Sequence, residues 1–501
     1  MLNLDTLNSL FIRFTISDLL LFGEIITMKR IFINILIVHI FLMNSVVNGE
    51  NIDIPGSAED LAELEKLESI IDKYSDLVTK TRMNSDFVPG ILTVVTRNEM
   101  EIAGFKTVEE VLSAMAGMHI YIDGFGFRTI SVRGIGGATA SGNIKMMLNN
   151  NSMTDSITSL SDFLLDYPVA LLERIEIVRG PGAAVYGEYA YTGVINVVTR
   201  KTDSIVSLGI GSISTLSGSA LLNYYSQDQS THLSALVHKF KTDGSDATTG
   251  PDAYHSQGLK MKAASLAPGP TNEKQQGSSM FLSLKHNNTS CKANISQLYR
   301  GDSMGCYHYL YNLRDDTPQK IRQQAFQLSQ TIEIHSQLKS ILKLGWNRYR
   351  YFSEHMYLYP PIYPWYPDGL EFHMNVIERK KYANLDVSYV IDSHRFLLGL
   401  EYTEEKHIFS GITDMYRHIY SLVSQYESQP FEKFSLTLGL RYDNYDDTDN
   451  SFSPRIAGVY RLLSNHVFKC QYQAAFRPPT TGERFMQQKY QQKFVWASIM
   501  S

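Results

Sequence analysis

The chain has 501 residues, with 46 Lys+Arg against 51 Asp+Glu and a formal charge of −5. So even a balance excludes a nucleic-acid binder, which needs a clustered basic surface; three Cys exclude a disulfide-stapled scaffold or a Cys-rich zinc module. With 30 Tyr, 24 Phe and 33 Gly and a mean hydropathy of −0.17, the composition favours many alternating strands and excludes a bundle of membrane helices.

One stretch near the start is strongly apolar. Lys29 and Arg30 precede a run from Ile31 to Met43, and Val47, Asn48 and Gly49 follow it. Basic start, short apolar core and small-residue exit make a secretory signal peptide over residues 28–49. The core is shorter than the roughly 20 apolar residues of a spanning helix, and a buried core helix is the competing reading. Asp5, Asp18 and Glu24 stand where a secretory n-region is basic, so residues 1–27 read as an upstream mis-assignment. Residues 50–83 hold a helix capped by Ser57, with Leu61, Leu64, Leu67, Ile70 and Ile71 at helical spacing.

A strand pattern begins at Ile91 and runs to Thr96. Thr107, with Glu110 three residues on, predicts a capping box and a helix from Val108 to Met115 that ends at Gly117. Short strands are expected at 119–122, 129–133, 145–148, 174–178 and 194–199, separated by Gly-, Ser- and Asn-rich loops. Residues 84–201 thus form a small mixed α/β domain.

Within it, Ile130, Ser131, Val132, Arg133 and Gly134 form one block. Arg174, Glu176, Arg179, Gly180, Pro181, Gly182 and Gly187 belong to a second, and Gly193, Val194, Ile195 and Asn196 open a third. In this order and spacing they resemble the plug domain of TonB-dependent outer-membrane receptors. Taken alone, Gly180 and Gly182 would mean only a tight turn with unusual φ angles. The family often has an Asp-Gly pair after its third strand; here Asn149, Asn150 and Asn151 stand there, and Asn tolerates the same left-handed turn.

Residues 202–501 lose the helical period. Phe434, Leu436, Leu438, Leu440 and Tyr442 alternate with Ser435, Thr437, Gly439 and Arg441; Phe396, Leu398, Leu400 and Tyr402 form another apolar face. The run Phe468, Cys470, Tyr472, Ala474 and Phe476 repeats the pattern, and Tyr402 and Tyr442 suit an interfacial girdle at strand ends. Such alternation makes one face lipid-facing and one polar, and lipid demands closure. A soluble sandwich with one wet face is the competing reading. The fold class is therefore mainly β: a transmembrane antiparallel β-barrel with an N-terminal mixed α/β plug. At roughly 20–25 residues per strand with its connection, the region holds about 12–15 strands. Plugged transporters have about 22, so the barrel reads as incomplete and the chain as a truncated product.

No catalytic constellation, metal-ligand spacing or cofactor motif is present in the sequence. The resemblance implies a non-enzymatic receptor of the Gram-negative outer membrane. It would bind a scarce nutrient such as an iron–siderophore or cobalamin and import it with proton-motive energy delivered by TonB. TonB would pair with an extended segment before the plug, for which Asp76, Leu77, Val78 and Thr79 are the candidates; continuation of the preceding helix through them is the competing reading. Ligand candidates are Phe125, Phe127 and Arg128 on one plug loop and Asn151, Ser152 and Thr154 on another. Tyr363, Trp365 and Tyr366 in a Pro-rich barrel loop complete the set, with the membrane girdle as their competing reading. Arg133, Arg174, Glu176, Arg179 and Arg200 either bind the plug to the wall or pair within it. Expected partners are TonB, the nutrient and membrane lipid, without nucleic acid. The alternative function is a surface binding or adhesion protein, or a remnant, that moves no cargo. Cys291 and Cys306 flank a strand and lie about 30 Å apart at 3.3 Å per residue, so free thiols are expected.

Overall fold

The computed structural model describes residues 91–123, 127–136, 143–157, 161–201, 203–245, 247–252, 255, 265–304, 310, 319–359, 370–409, 414–463 and 466–484. The expected signal peptide, the helix after Ser57, the segment 76–79, Cys306 and the ligand candidates Phe125, Tyr363, Trp365 and Tyr366 lie outside these residues.

Strand β1 (Ile91–Thr96) passes directly into helix α1 (Arg97–Ile102). Thr96 caps it: its hydroxyl accepts from Glu99 N, and the Glu99 carboxylate accepts from Thr96 N at 2.8 Å. The expected box at α2 (Val108–Ser113) is half formed. Thr107 does accept from Glu110 N, but the Glu110 carboxylate turns to Lys106 N at 2.7 Å. This helix ends before Met115, because Ala114 N and Met115 N bond three residues back and tighten the exit ahead of Gly117, at φ 76°.

Strands β2 (Met118–Ile122) and β3 (Arg128–Val132) form a separate hairpin. The main plug sheet takes β4 (Ile144–Leu148), β5 (Asn151–Ser152), β6 (Leu172–Arg179) and β7 (Gly193–Thr199) in the order β1-β6-β7-β4-β5. Only β4 and β7 run parallel; the other pairs are antiparallel. Short helices α3 (Asp162–Leu165) and α4 (Ala183–Tyr186) and a 3₁₀ turn at Val169–Leu171 complete the domain. Met100, Leu112, Leu148, Leu171, Ile175 and Val197 fill its core, each burial contributing about 1.5–3 kcal/mol.

The Asn triplet explains itself in this sheet. Asn149 and Asn150 sit at φ 49° and 64°, closing the β4–β5 hairpin. Their side chains also tie it to the next strand: Asn149 Oδ1 accepts from Thr199 N at 3.0 Å, and Asn150 Oδ1 accepts from Asn196 Nδ2 at 2.8 Å. Gly180 has φ 124°, but Gly182 has an ordinary φ of −122°, which corrects the expectation of two unusual angles. Close approach explains Gly182 instead, since a Cβ there would lie 3.1 Å from Val194 Cγ2.

Thirteen further strands form one antiparallel sheet in chain order. They are β8 (Ile205–Gly211), β9 (Thr215–Tyr225), β10 (Thr231–Thr242), β11 (Gln275–His286), β12 (Thr289–Arg300), β13 (Gln319–His335) and β14 (Leu338–Tyr359). Then come β15 (Leu370–Ile391), β16 (His394–Phe409), β17 (Met415–Phe431), β18 (Phe434–Tyr445), β19 (Ser451–Leu463) and β20 (His466–Gln473). Among the described residues β8 and β20 are not paired with each other. No helix among them is long and apolar enough to cross a membrane.

Burial in this sheet is inverted. On β18, Ser435, Thr437, Arg441 and Asp443 are buried while Leu438 and Leu440 are exposed. That is the outward-apolar, inward-polar alternation of a membrane barrel. Two-residue turns at 287–288, 336–337 and 392–393 join strands at one end; connections 243–274, 301–318 and 360–369 join them at the other. Short turns mark the periplasmic side and long loops the outside. Strands β14 and β15 have 22 residues each, about 70 Å of extended chain. A hydrocarbon core of about 30 Å leaves their outer halves standing above the membrane.

Two expectations need correction here. Tyr402 lies inside β16, beside Tyr420, and not at a strand end. The alternation expected to run through Ala474 and Phe476 stops at Gln473. Pro478 and Pro479 offer no N–H to a ladder, and the chain turns back toward the plug into a helical turn at 481–484.

Candidate functional site

The inward faces of β15–β18 carry rows of charge in register. Glu378 stands opposite His407, and Lys380, Glu405 and Arg417 form a line across β15, β16 and β17. Lys380 Nζ lies 2.7 Å from Glu405, and Arg417 Nε lies 2.9 Å from Asp447. A second row is Glu401, Ser421 and Asp443, crossed by Arg441, which reaches Glu401 at 2.8 Å and Asp443 at 2.7 Å. Alternation puts these groups on one face. Burial away from water is tolerable only because each charge meets a counter-charge or a hydrogen bond.

The plug is seated against this wall. Ser156 N donates to Glu378 Oε2 at 2.7 Å, and Ser156 Oγ lies 2.7 Å from His407 Nε2. Lys380 reaches plug residue Glu188 at 3.2 Å. Gln323 Nε2 donates to Met153 O at 3.1 Å and Lys292 Nζ to Asn149 O at 3.0 Å. Toward β9–β11 the seat also has an apolar part, where wall residues Leu221, Leu236 and Phe281 share one cluster with Leu164, Leu171 and Leu172.

The candidate ligand residues within the described chain are held by protein groups. Phe127 is buried edge-on to Tyr351 at 5.0 Å, with the Arg300 guanidinium over its ring at 5.9 Å. Arg128 is buried between Glu109 at 2.8 Å and Asp166 at 2.6 Å. Tyr382 OH donates to Asn151 Oδ1 at 3.3 Å, Ser152 pairs with Met147, and Thr154 Oγ1 accepts from Met146 N at 3.0 Å. Arg300 ends β12 at the long connection 301–318, and His407 lies near the end of β16 on that same side of the sheet. Phe127 and Ser156, which touch them, therefore belong to the outer end of the plug.

Of the plug-signature charges, Arg174, Glu176, Arg179 and Arg200 find partners within the plug. Arg174 meets Glu176 at 2.7 Å, Arg200 meets Glu101 at 2.7 Å, and Arg179 donates to Ala116 O and Thr93 Oγ1. Asn196 Nδ2 donates to the fully buried Glu176, and Arg133 and Gly134 form a left-handed turn at φ 53° and 77°. Gly187 faces Arg441 of the wall, and Gly193 opens β7. Of the two readings left open for these charges, internal pairing is the one seen. The groups that do meet the plug (Glu378, Lys380, His407) went unnoticed as a set, although their alternate spacing on two adjacent strands was the available signal.

Residues 85–194 match the family described as "TonB-dependent Receptor Plug Domain", and residues 211–496 match "TonB dependent receptor-like, beta-barrel". The chain belongs to the TonB-dependent receptor family. It is 34% identical over 109 residues to the vitamin B12 transporter BtuB of Photobacterium profundum, which is 22% of this receptor and 17% of that protein. BtuB of Vibrio vulnificus is 32% identical over 126 residues, 24% of this chain and 20% of the relative. Among solved structures, a mutant of the ferric enterobactin receptor PfeA of Pseudomonas aeruginosa superposes with a TM-score of 0.62 at 17% identity, covering 78% of this chain and 62% of that one. The siderophore receptor PirA of Acinetobacter baumannii gives 0.58 at 16% identity, covering 78% and 61%. The receptor thus spans less than two thirds of the relatives it matches. The family is made of receptors and transporters, not enzymes, and its barrels are Gram-negative outer-membrane proteins, which is where this receptor belongs.

Proposed function

We propose that the receptor binds a nutrient of the metal-chelate or cobalamin class at the outer end of its plug and imports it with energy transmitted by TonB. The supporting observation is the plug's seat: one flank meets the wall through hydrogen bonds and ion pairs such as Ser156–Glu378 and Lys380–Glu188. Such contacts exchange for water without exposing apolar core. On that flank the plug can part from the wall without unfolding, while apolar contact with Leu221, Leu236 and Phe281 holds it elsewhere. Relatives named as a vitamin B12 transporter and as siderophore receptors support the cargo class. In this reading residues 28–49 direct export, and Asp76, Leu77, Val78 and Thr79 form the extended strand that TonB takes up.

The test is uptake of labelled cyanocobalamin and ferric enterobactin by cells expressing the full chain, with and without a protonophore. Uptake abolished by collapse of the gradient is the expected result. Binding without uptake, indifferent to the gradient, would instead favour a surface binding protein. Leu77→Pro, which denies TonB a strand partner, is expected to abolish uptake and leave binding intact.

A further inference from the structure

The segment after β20 makes a contact that neither barrel closure nor plug folding requires. Thr480 and Glu483 cap its helical turn reciprocally, with Thr480 N donating to Glu483 Oε2 at 2.8 Å and Glu483 N to Thr480 Oγ1 at 3.2 Å. Arg477 pairs with Glu483 at 2.7 Å, Arg417 Nη2 donates to Pro479 O at 3.0 Å, and Arg484 pairs with Asp447. Held in this way, the turn presents two backbone donors to the plug. Thr481 N donates to Ser156 O at 3.1 Å and Gly482 N to Ile157 O at 3.0 Å.

Ser156 is therefore gripped from two sides. Its amide goes to Glu378, its hydroxyl to His407 and its carbonyl to Thr481, so every polar atom it owns is bound. The Thr481 hydroxyl lies 3.3 Å from the same His407 Nε2, joining the two grips. Ser156 and Glu405 are fully buried, with Thr481, His407 and Glu378 nearly so. In a site this dry, displacing the loop leaves several groups unmet at once. The fit is close: a Cβ on Gly482 would stand 2.8 Å from Ile157 O, so only glycine fits without moving the plug loop away.

We propose that residues 480–482 are a clasp that positions the outward plug loop 153–157 for cargo binding, with Thr481 and Gly482 as positioning residues acting through Ser156. This inference rests on the receptor reading for its functional meaning, but the clasp itself does not. Cargo that shifts the loop must loosen the clasp, so the barrel's tail senses the plug.

Thr481 is the first residue of its turn, where the N–H has no partner in the helix and proline is tolerated; Thr481→Pro deletes the bond to Ser156 O and, with the hydroxyl, the contact to His407, both of them clasp contacts. Hydrogen exchange on the full receptor in lipid is expected to speed up about tenfold at the Ser156 and Gly482 amides, with β15 and β16 unchanged. The Kd for ferric enterobactin or cyanocobalamin, whichever the wild type binds, is expected to rise about tenfold. Gly482→Val is the second variant, with the same expectation. Unchanged exchange at Ser156 in both variants would overturn the clasp, and a loosened loop with unchanged Kd would overturn its part in binding. A wild type that binds neither probe counts against the receptor reading for these cargoes, while exchange at Ser156 still decides the clasp.

Discussion

Plug and barrel solve the burial problem in opposite ways. The plug hides an apolar core of Ile175, Leu148 and Val197, and the few charges it buries, such as Arg128 and Glu176, are paired. The barrel exposes Leu398, Leu438 and Phe468 and hides Lys380, Glu405 and Arg417. Apolar side chains go wherever water is absent, and for the barrel that is outside. Position in the sequence pattern therefore cannot be read as "in" or "out" until the solvent on each face is known.

This contrast can be broken experimentally. The largest effect is expected at the barrel's hidden charge. Lys380→Met leaves Glu405 and Glu188 buried without their shared cation, costing about 3–5 kcal/mol, as a fall in the urea midpoint of the lipid-embedded receptor. In the plug the apolar side is hidden, and Ile175→Ala is expected to cost about 2–5 kcal/mol by the same measurement. An equal loss from Lys380→Met and from a substitution of an exposed lysine would abolish the distinction.

On the lipid face the expectation reverses. Leu398, the fifth residue of β16, lies roughly 12 Å into the membrane from its periplasmic turn at the usual strand tilt. Leu398→Arg is expected to cost about 2–4 kcal/mol for folding into vesicles. A neutral result would place this face against water and sink the barrel assignment.

The smallest effect belongs to the plug's entry helix. Thr96→Ala removes the cap of α1, about 1 kcal/mol by exchange of its amides at neutral pH. Hydrogen bonds from the Thr96 amide and hydroxyl hold the Glu99 carboxyl below its ordinary range. A depressed acid stabilises the fold above the ordinary value and loses that contribution as pH falls through the lowered one. The gap between wild type and Thr96→Ala is thus expected to narrow in acid.

Much of this architecture was legible from local chemistry. The plug strands fall within a residue or two of their expected bounds because β-branched runs end in Gly, Asn and Pro. The expected strand number, about 12–15 by a plain division of length, contains the observed 13. What stayed hidden was whatever depends on two distant segments. Thr96 and Glu99 satisfy the same capping rule as Thr107 and Glu110, yet Lys106 N competes only at the second. Glu378 and His407 lie 29 positions apart and meet Ser156 only after β15 and β16 pair, so no single-strand pattern announces them. The alternation through Ala474 and Phe476 reads as strand because apolar spacing outlasts pairing: Ala474 N still donates to Pro454 O, but Pro478 and Pro479 follow with no N–H.

The wall's preference for hydroxyls, amides and ions has a final consequence for traffic. Wherever the cork draws back along its polar flank, the vacated space is lined by groups that water wets at once. On the import reading proposed above, a solute passing there would meet a hydrated slot, and the returning domain would meet the same partners.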